Sequence, residues 1–203
     1  LFSYGDGEES IRHYLRLKHD QLRGEGRLVA RDVVGPENRR RSVLLWCNPE
    51  DGSDQWEQCL QGEPDNRELE ERLNRLSTRA RFMRFQHDFF PRRPRPSPLW
   101  EEVATPLGPG FRLSLEDAME FITKKDYTDN WRSEMLERFC FWEYAEWRRA
   151  LEEAGFRVVE GSRAYANTWR VERRFQGKVA LFDEEGQPLP WPVTNMVLVG
   201  QRL

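Results

Sequence analysis

Apolar positions along the chain fall into blocks whose spacing switches between helical and extended periods. Ile11, Tyr14, Leu15 and Leu22 recur at helical spacing and predict a helix over residues 8–22, with Ser10 as its cap. Gly24 and Gly26 stop it. The run L-R-G-E-G-R-L-V-A-R-D-V-V-G-P, from Leu22 to Pro36, then gathers Leu28, Val29, Ala30, Val33 and Val34 into one apolar, partly β-branched block closed by Gly35 and Pro36. A nearly continuous apolar run behind a helix predicts a parallel strand covered on both faces more than a half-exposed antiparallel one. Asp32 falls near the carboxyl end of that strand, where open α/β sheets bind ligands. The same pattern also suits an ordinary core strand with a polar residue near its end.

Further on, Val43 to Cys47 predicts a second short strand, and N-P-E-D-G-S-D a turn or exposed loop. Asn66 can cap a helix that carries Leu69, Leu73 and Leu76 on one face, with Ser77-Thr78 either interrupting it or lying on its polar side. Phe82, Phe85 and Phe89 continue at helical spacing, and Arg79, Arg81 and Arg84 lie opposite. The following P-R-R-P-R-P-S-P adds three arginines. A basic patch beside aromatics can contact phosphate or single-stranded nucleic acid, and the same residues suit a solvated helix face before an extended connector. L-G-P-G-F near residue 108 reads as a proline-containing loop. Ser114 precedes an amphipathic helix with Leu115, Ala118, Met119 and Ile122, and Asp117 completes an imperfect capping box. Tyr144, Trp147, Leu151 and Ala154 mark another helix, stopped by Gly155 and followed by a strand from Phe156 to Val159. Asp183 to Gly186 signals a turn, and Met196 to Val199 a last strand. Helix, glycine and strand occur in that order twice, which predicts a layered α/β sheet.

At 203 residues, 38% of them hydrophobic, the chain can bury a core as one large domain or two small ones. Its 32 basic and 35 acidic residues leave a formal charge of −3, so no overall basic field draws nucleic acid or an anionic membrane. Eight Trp and twelve Phe can line a pocket for a planar ligand or fill the core. Three cysteines, an odd number without CxxC spacing, indicate neither a disulfide framework nor a zinc site, and favour a reducing cytoplasm. No apolar run approaches the roughly 18–20 residues of a membrane span. The opening L-F-S-Y-G-D-G-E-E-S lacks the basic and apolar regions of a signal peptide and reads as if in mid-protein.

The pattern L-R-G-E-G-R-L-V-A-R-D resembles the helix, glycine turn and fifth strand of class I S-adenosylmethionine-dependent methyltransferases. A-L-E-E-A-G-F-R-V-V-E resembles the last helix and sixth strand of that fold, and T-N-M-V-L-V-G-Q its seventh strand. The stretch K-D-Y-T-D-N-W-R-S-E-M-L-E-R-F-C-F-W, Lys125 to Trp142, looks like an insertion found in a bacterial subset of these enzymes, and such insertions commonly help to cover the substrate. The resemblance implies a single domain over 1–203 built on a partial Rossmann-like sheet, fifth to seventh strands, with a helical, aromatic-rich insertion over 48–142 that covers the substrate. It also implies methyl transfer to a small-molecule acceptor, with S-adenosylmethionine bound by the full-length protein. The family's glycine-rich loop after a first strand, and the acid ending its second, have no counterpart here. The chain is therefore expected to be the carboxyl-terminal half of such an enzyme, weak in cofactor binding and inactive alone, and liable to self-association through an open sheet edge.

Methyl transfer needs an in-line approach in a pocket that excludes water, and a hydroxyl or amine acceptor gains from a general base. The catalytic candidates are Asp32, by position, and His87, on the aromatic helix; His13 and His19 sit on a polar helix face and rank lower. No His and carboxylate spacing suggests a metal. For the substrate, Tyr127, Asn130, Trp131 and Glu134 are the candidates, because a helix through Asn130 and Glu134 places both on one face beside Tyr127. A capped helix with a buried Trp and a solvated Glu fits the same pattern. The competing function is a noncatalytic interaction module that uses the Arg79 to Arg95 region to bind an acidic partner.

Overall fold

The computed structural model describes residues 7–62, 64–89 and 100–203; the opening L-F-S-Y-G-D and the P-R-R-P-R-P-S-P connector lie outside them. The first half of the chain forms α1 (Glu8–Gln21), β1 (Arg27–Val33), β2 (Ser42–Cys47), a 3₁₀ turn (Trp56–Leu60), α2 (Asn66–Arg75), α3 (Thr78–Asp88) and β3 (Trp100–Thr105). The second half forms β4 (Gly108–Ser114), α4 (Leu115–Lys124), α5 (Trp131–Glu134), α6 (Tyr144–Glu153), β5 (Phe156–Val158), β6 (Arg163–Tyr165), α7 (Thr168–Arg170), β7 (Val179–Phe182) and β8 (Asn195–Arg202). They assemble into two compact units. Unit 1 takes Leu1–Arg39, Glu137–Asn167 and Pro192–Leu203, and unit 2 takes Arg40–Leu136 and Thr168–Trp191. The segment 48–142, expected as an insertion, lies mostly in unit 2, which also takes β2 and Thr168–Trp191.

The architecture is mixed α/β with antiparallel sheets. In unit 1 the strand order is β1-β8-β5, with β6 also on β8. The expectation of a parallel β1 buried on both faces is corrected: β1 runs antiparallel to β8 from Arg27↔Gln201 to Val33↔Asn195. Along β1, Leu28 and Ala30 pack on the core, whereas Val29 is 62% exposed. Apolar character on consecutive positions therefore did not mean two covered faces. Because β5 is also antiparallel to β8, the two helix-fed strands β1 and β5 share one direction, with the terminal strand between them.

The core of unit 1 is helical and aromatic. Ile11 and Leu15 of α1 pack with Trp147, Ala150 and Leu151 of α6 and with Met196 and Leu198 of β8, and Trp142 meets Trp147 edge to face at 5.0 Å. A capping box between Glu143 and Glu146 starts α6, and Gly155 at φ 92° stops it, a conformation that favours glycine. Gly35 approaches another strand of chain so closely that a Cβ there would lie 2.5 Å from the Cys140 carbonyl oxygen; its amide donates to Trp142 O at 2.8 Å. The cap of α1 is Gly7, and Ser10 lies inside the helix.

Among the described residues β1 pairs with one strand only, so its outer edge is available to another chain. The protein should self-associate at high concentration in sedimentation experiments, and Val29→Lys, which puts a charge on that edge strand, should return it to monomer. Unchanged association in the lysine variant would remove β1 as the contact.

Unit 2 is built on the sheet β3-β4-β2-β7, antiparallel throughout. The L-G-P-G-F segment is part of the β3-β4 hairpin, not a loop: Gly108 opposes Thr105, whose hydroxyl donates to Gly108 O at 2.7 Å. Asp65 caps α2, one residue ahead of Asn66. Ser77-Thr78 separates two helices, since Ser77 Oγ accepts the Ala80 amide at 3.0 Å while Asp51 takes both the amide and the hydroxyl of Thr78 at 2.6 Å. The aromatics of α3 are core. Phe82 lies 4.3 Å from Phe111 and 5.0 Å from Phe121, ring centre to ring centre, and Phe85 stacks on Phe89 at 4.7 Å. Ser114 caps α4 by accepting the Asp117 amide.

Candidate functional site

Asp32 sits at the carboxyl end of β1, exposed, with one carboxylate oxygen accepting the Val33 amide at 2.7 Å. It belongs to unit 1, and His87, Tyr127, Asn130, Trp131 and Glu134 belong to unit 2.

Burial of Phe82 and Phe85 fixes the rotation of α3 and sends His87, half-exposed, to the outside. Its Nδ1 lies 3.0 Å from Asp88 Oδ1. The other oxygen of Asp88 accepts the indole N–H of Trp131 at 2.6 Å and Arg84 Nε at 2.7 Å. Two residues singled out separately in the sequence, His87 and Trp131, thus share one carboxylate that the sequence reading missed. Its signal was present, because an acid in the last turn of a helix opposes the helix dipole and needs a tertiary reason to be there. The contact with Asp88 orients the imidazole and leaves Nε2 on its other side, the geometry an oriented base requires.

Trp131 is 2% exposed and meets Phe85 edge to face. The expected helical face through Tyr127, Asn130 and Glu134 is corrected. Helix α5 is a single turn, Asn130 is its non-helical cap, accepting the Glu134 amide at 3.0 Å, and Tyr127 precedes it in an irregular link. Asn130 and Trp131 do line one cavity of about 270 Å³, with Asn66, Leu69, Thr128 and Arg132. Tyr127 and Glu134 are not among its walls. Those walls are tied together: Arg132 donates to Asn66 Oδ1 at 2.7 Å and to Pro64 O, and the Thr128 hydroxyl to Asn74 Oδ1 at 2.9 Å. An amide, a guanidinium, a hydroxyl and apolar walls suit a small polar acceptor.

The arginines of α3 do not form an open basic face. Arg79 pairs with Asp54 at 3.0 Å and Glu102 at 3.6 Å, Arg84 with Asp88, and Arg81 donates to the carbonyls of Lys125 and Leu73 at 3.0 and 3.1 Å. The described part of the Arg79 to Arg95 region is committed inside the unit, and its P-R-R-P-R-P-S-P part lies outside the described residues.

Three titrating groups of unit 2 are displaced mainly by burial. Lys125, whose side chain has no exposure, binds both oxygens of Asp126 at 2.9 and 2.7 Å, yet desolvation lowers it to about 8 against the support of that carboxylate. Arg81 is lowered by burial too, and the Cys47 thiol is raised well above its ordinary value. Such shifts often mark functional sites. Here the Lys125 ammonium is out of reach of any substrate, so its role is structural.

In each glycine pair outside the opening segment one member, Gly24 or Gly108, has open space where a Cβ would stand, and the other is closed. A Cβ at Gly26 would meet Arg23 O at 2.8 Å, and one at Gly110 would meet Leu45 O at 2.6 Å. Among the described residues no group of three His, Cys, Asp or Glu can hold a metal, and no helix is long and apolar enough to cross a membrane. Comparison with protein-family models, with curated proteins and with solved structures returns no match.

Proposed function

We propose that the chain is the acceptor-side portion of a class I S-adenosylmethionine-dependent methyltransferase. The observation that carries this reading is the sheet of unit 1. The three segments that resemble the family's fifth, sixth and seventh strands pair with one another and with no strand of the other sheet. The first two, β1 and β5, each follow a helix and share one direction. The chain departs into unit 2 shortly after the carboxyl end of β1, the end at which α/β sheets carry their ligands.

One glycine of each pair, Gly26 and Gly110, is closed by a carbonyl oxygen, and the family's glycine-rich loop after a first strand has no counterpart among the described residues. What they supply is the acceptor side. The cavity at Asn130, Trp131 and Arg132 binds and orients a small-molecule acceptor, and His87, its ring steered by Asp88, is the imidazole that the same unit offers as a base.

Calorimetric titration with S-adenosylhomocysteine is the direct test. The product of the complete reading frame that contains these residues should bind it saturably, and residues 1–203 alone should not. No saturable binding by the complete product removes the methyltransferase reading. Saturable binding by residues 1–203 would show instead that the cofactor site lies within them.

A further inference from the structure

The helix that begins at Thr168 changes pitch after one turn. The Gln176 amide donates to Val171 O, five residues back, at 2.9 Å, so Val171–Phe175 is a π-helical turn, a form found frequently at functional sites. In a regular α-helix, residues five apart are rotated by roughly 140° about the axis, and Trp169 and Arg174 would face apart. The widened turn instead carries the Arg174 guanidinium over the Trp169 indole, 5.3 Å from the ring centre, and over Tyr127 at 5.7 Å. Arg170 fixes the phenol by donating to its hydroxyl at 3.0 Å. Phe175, 1% exposed and 5.3 Å from Trp191, anchors the turn, while Trp169 stands 56% exposed.

Charge and shape point the same way. Thr168 to Lys178 holds Arg170, Arg173, Arg174 and Lys178 against the single acid Glu172. Among the described residues Arg174 has no carboxylate at ion-pair distance. A guanidinium whose face is taken by rings still offers its N–H edge to a planar, bidentate acceptor. An exposed indole beside it offers a stacking surface.

We propose that Tyr127, Trp169, Arg170 and Arg174 form a binding site for a small aromatic anion, with its acid group on Arg174 and its ring on Trp169. The site stands on this geometry alone and does not depend on methyl transfer. A single-stranded nucleic acid is the poorer fit, because it needs a track of cations along several phosphates, and the chain as a whole carries −3.

Phenyl phosphate is the probe, titrated calorimetrically into the whole chain beside inorganic phosphate, benzyl alcohol and a twelve-residue oligothymidylate. Phenyl phosphate should saturate at about 1 mM, inorganic phosphate should bind about tenfold more weakly, and benzyl alcohol should not saturate. Arg174→Gln should weaken phenyl phosphate about tenfold or more, and Trp169→Ala by about three- to tenfold. Arg174→Lys, which keeps the charge and loses the fork, should fall between, and supplies the test if the glutamine variant fails to fold. Arg173→Gln, an exposed arginine on the same segment, should change little. The proposal is overturned if phenyl phosphate does not saturate, if benzyl alcohol binds as well, or if Arg173→Gln weakens binding as much as Arg174→Gln. Tighter, steeply salt-dependent binding of the oligonucleotide would replace the small-ligand site with a nucleic-acid surface.

Discussion

Asp88→Ala is expected to lower the free energy of unfolding by about 3–5 kcal/mol, the range for breaking a largely buried, hydrogen-bonded charge pair. Asp88 is only 15% exposed at its side chain, and it accepts from Trp131 Nε1, Arg84 Nε and the His87 ring. Truncation leaves the indole N–H of a buried Trp without its acceptor and removes a carboxylate from Arg84, so the cost is that of desolvated donors and not of one lost bond. Asp88→Asn keeps an acceptor oxygen and should cost less, about 1–2 kcal/mol. Urea unfolding of Asp88→Ala, Trp131→Phe and the double variant gives the coupling, expected at about 1–3 kcal/mol because the two residues share a bond. Additive losses, or a loss below about 1 kcal/mol for Asp88→Ala, would mean that the network does not hold α3 to α5.

That network shows where the sequence could be read and where it could not. Local rules found its parts: the spacing of Phe82, Phe85 and Phe89 located α3 and its buried side, and His87 and Trp131 stood out by residue type. What joins them is packing across 43 positions of chain, Asp88 to Trp131, which no periodicity encodes. Asp88 was visible only as a residue in the wrong place for a helix dipole. The pairing of Tyr127 with Arg170 and Arg174 was hidden for a second reason, since the π turn moves Arg174 to a face that α-helical counting assigns elsewhere.

The sheets divide in the same manner. Helix ends and strand centres were legible from glycines, caps and apolar blocks, as at Ser114, Gly155 and Leu28 to Val34. Partners were not: β1 and β8 meet across nearly the whole chain, and only that pairing fixes β1 as an antiparallel strand with Val29 exposed. In the β3-β4 hairpin, Pro109 within G-P-G suggested a loop, yet it stands opposite Ala104 in a regular antiparallel pair. Aromatic abundance was read as pocket or core, and the structure assigns most of it to two cores, with Trp169 the exposed exception among the described tryptophans.

The second large effect concerns pH. Burial lowers the folded Lys125 to about 8 from an ordinary 10.5, so between those values the unfolded chain binds the extra proton and the folded chain does not. Stability contributed by this residue therefore rises with pH across that window and is flat below it. At 1.36 kcal/mol per unit the full rise is about 3 kcal/mol. Cys47 runs the other way: its thiol, raised by burial, stays protonated when the unfolded thiol near 9.0 has ionised, so its contribution falls as pH climbs past that value. The two oppose each other above about pH 9, where the unfolded thiol ionises. Variants separate them. Urea midpoints of Cys47→Ala should climb from pH 8 to pH 10, because the opposing thiol is gone, whereas Lys125→Met should lose stability as pH passes 9. Parallel midpoint curves for the natural chain and Lys125→Met would show that the buried ammonium keeps an ordinary affinity for its proton, with Asp126 at 2.7 Å compensating its desolvation in full.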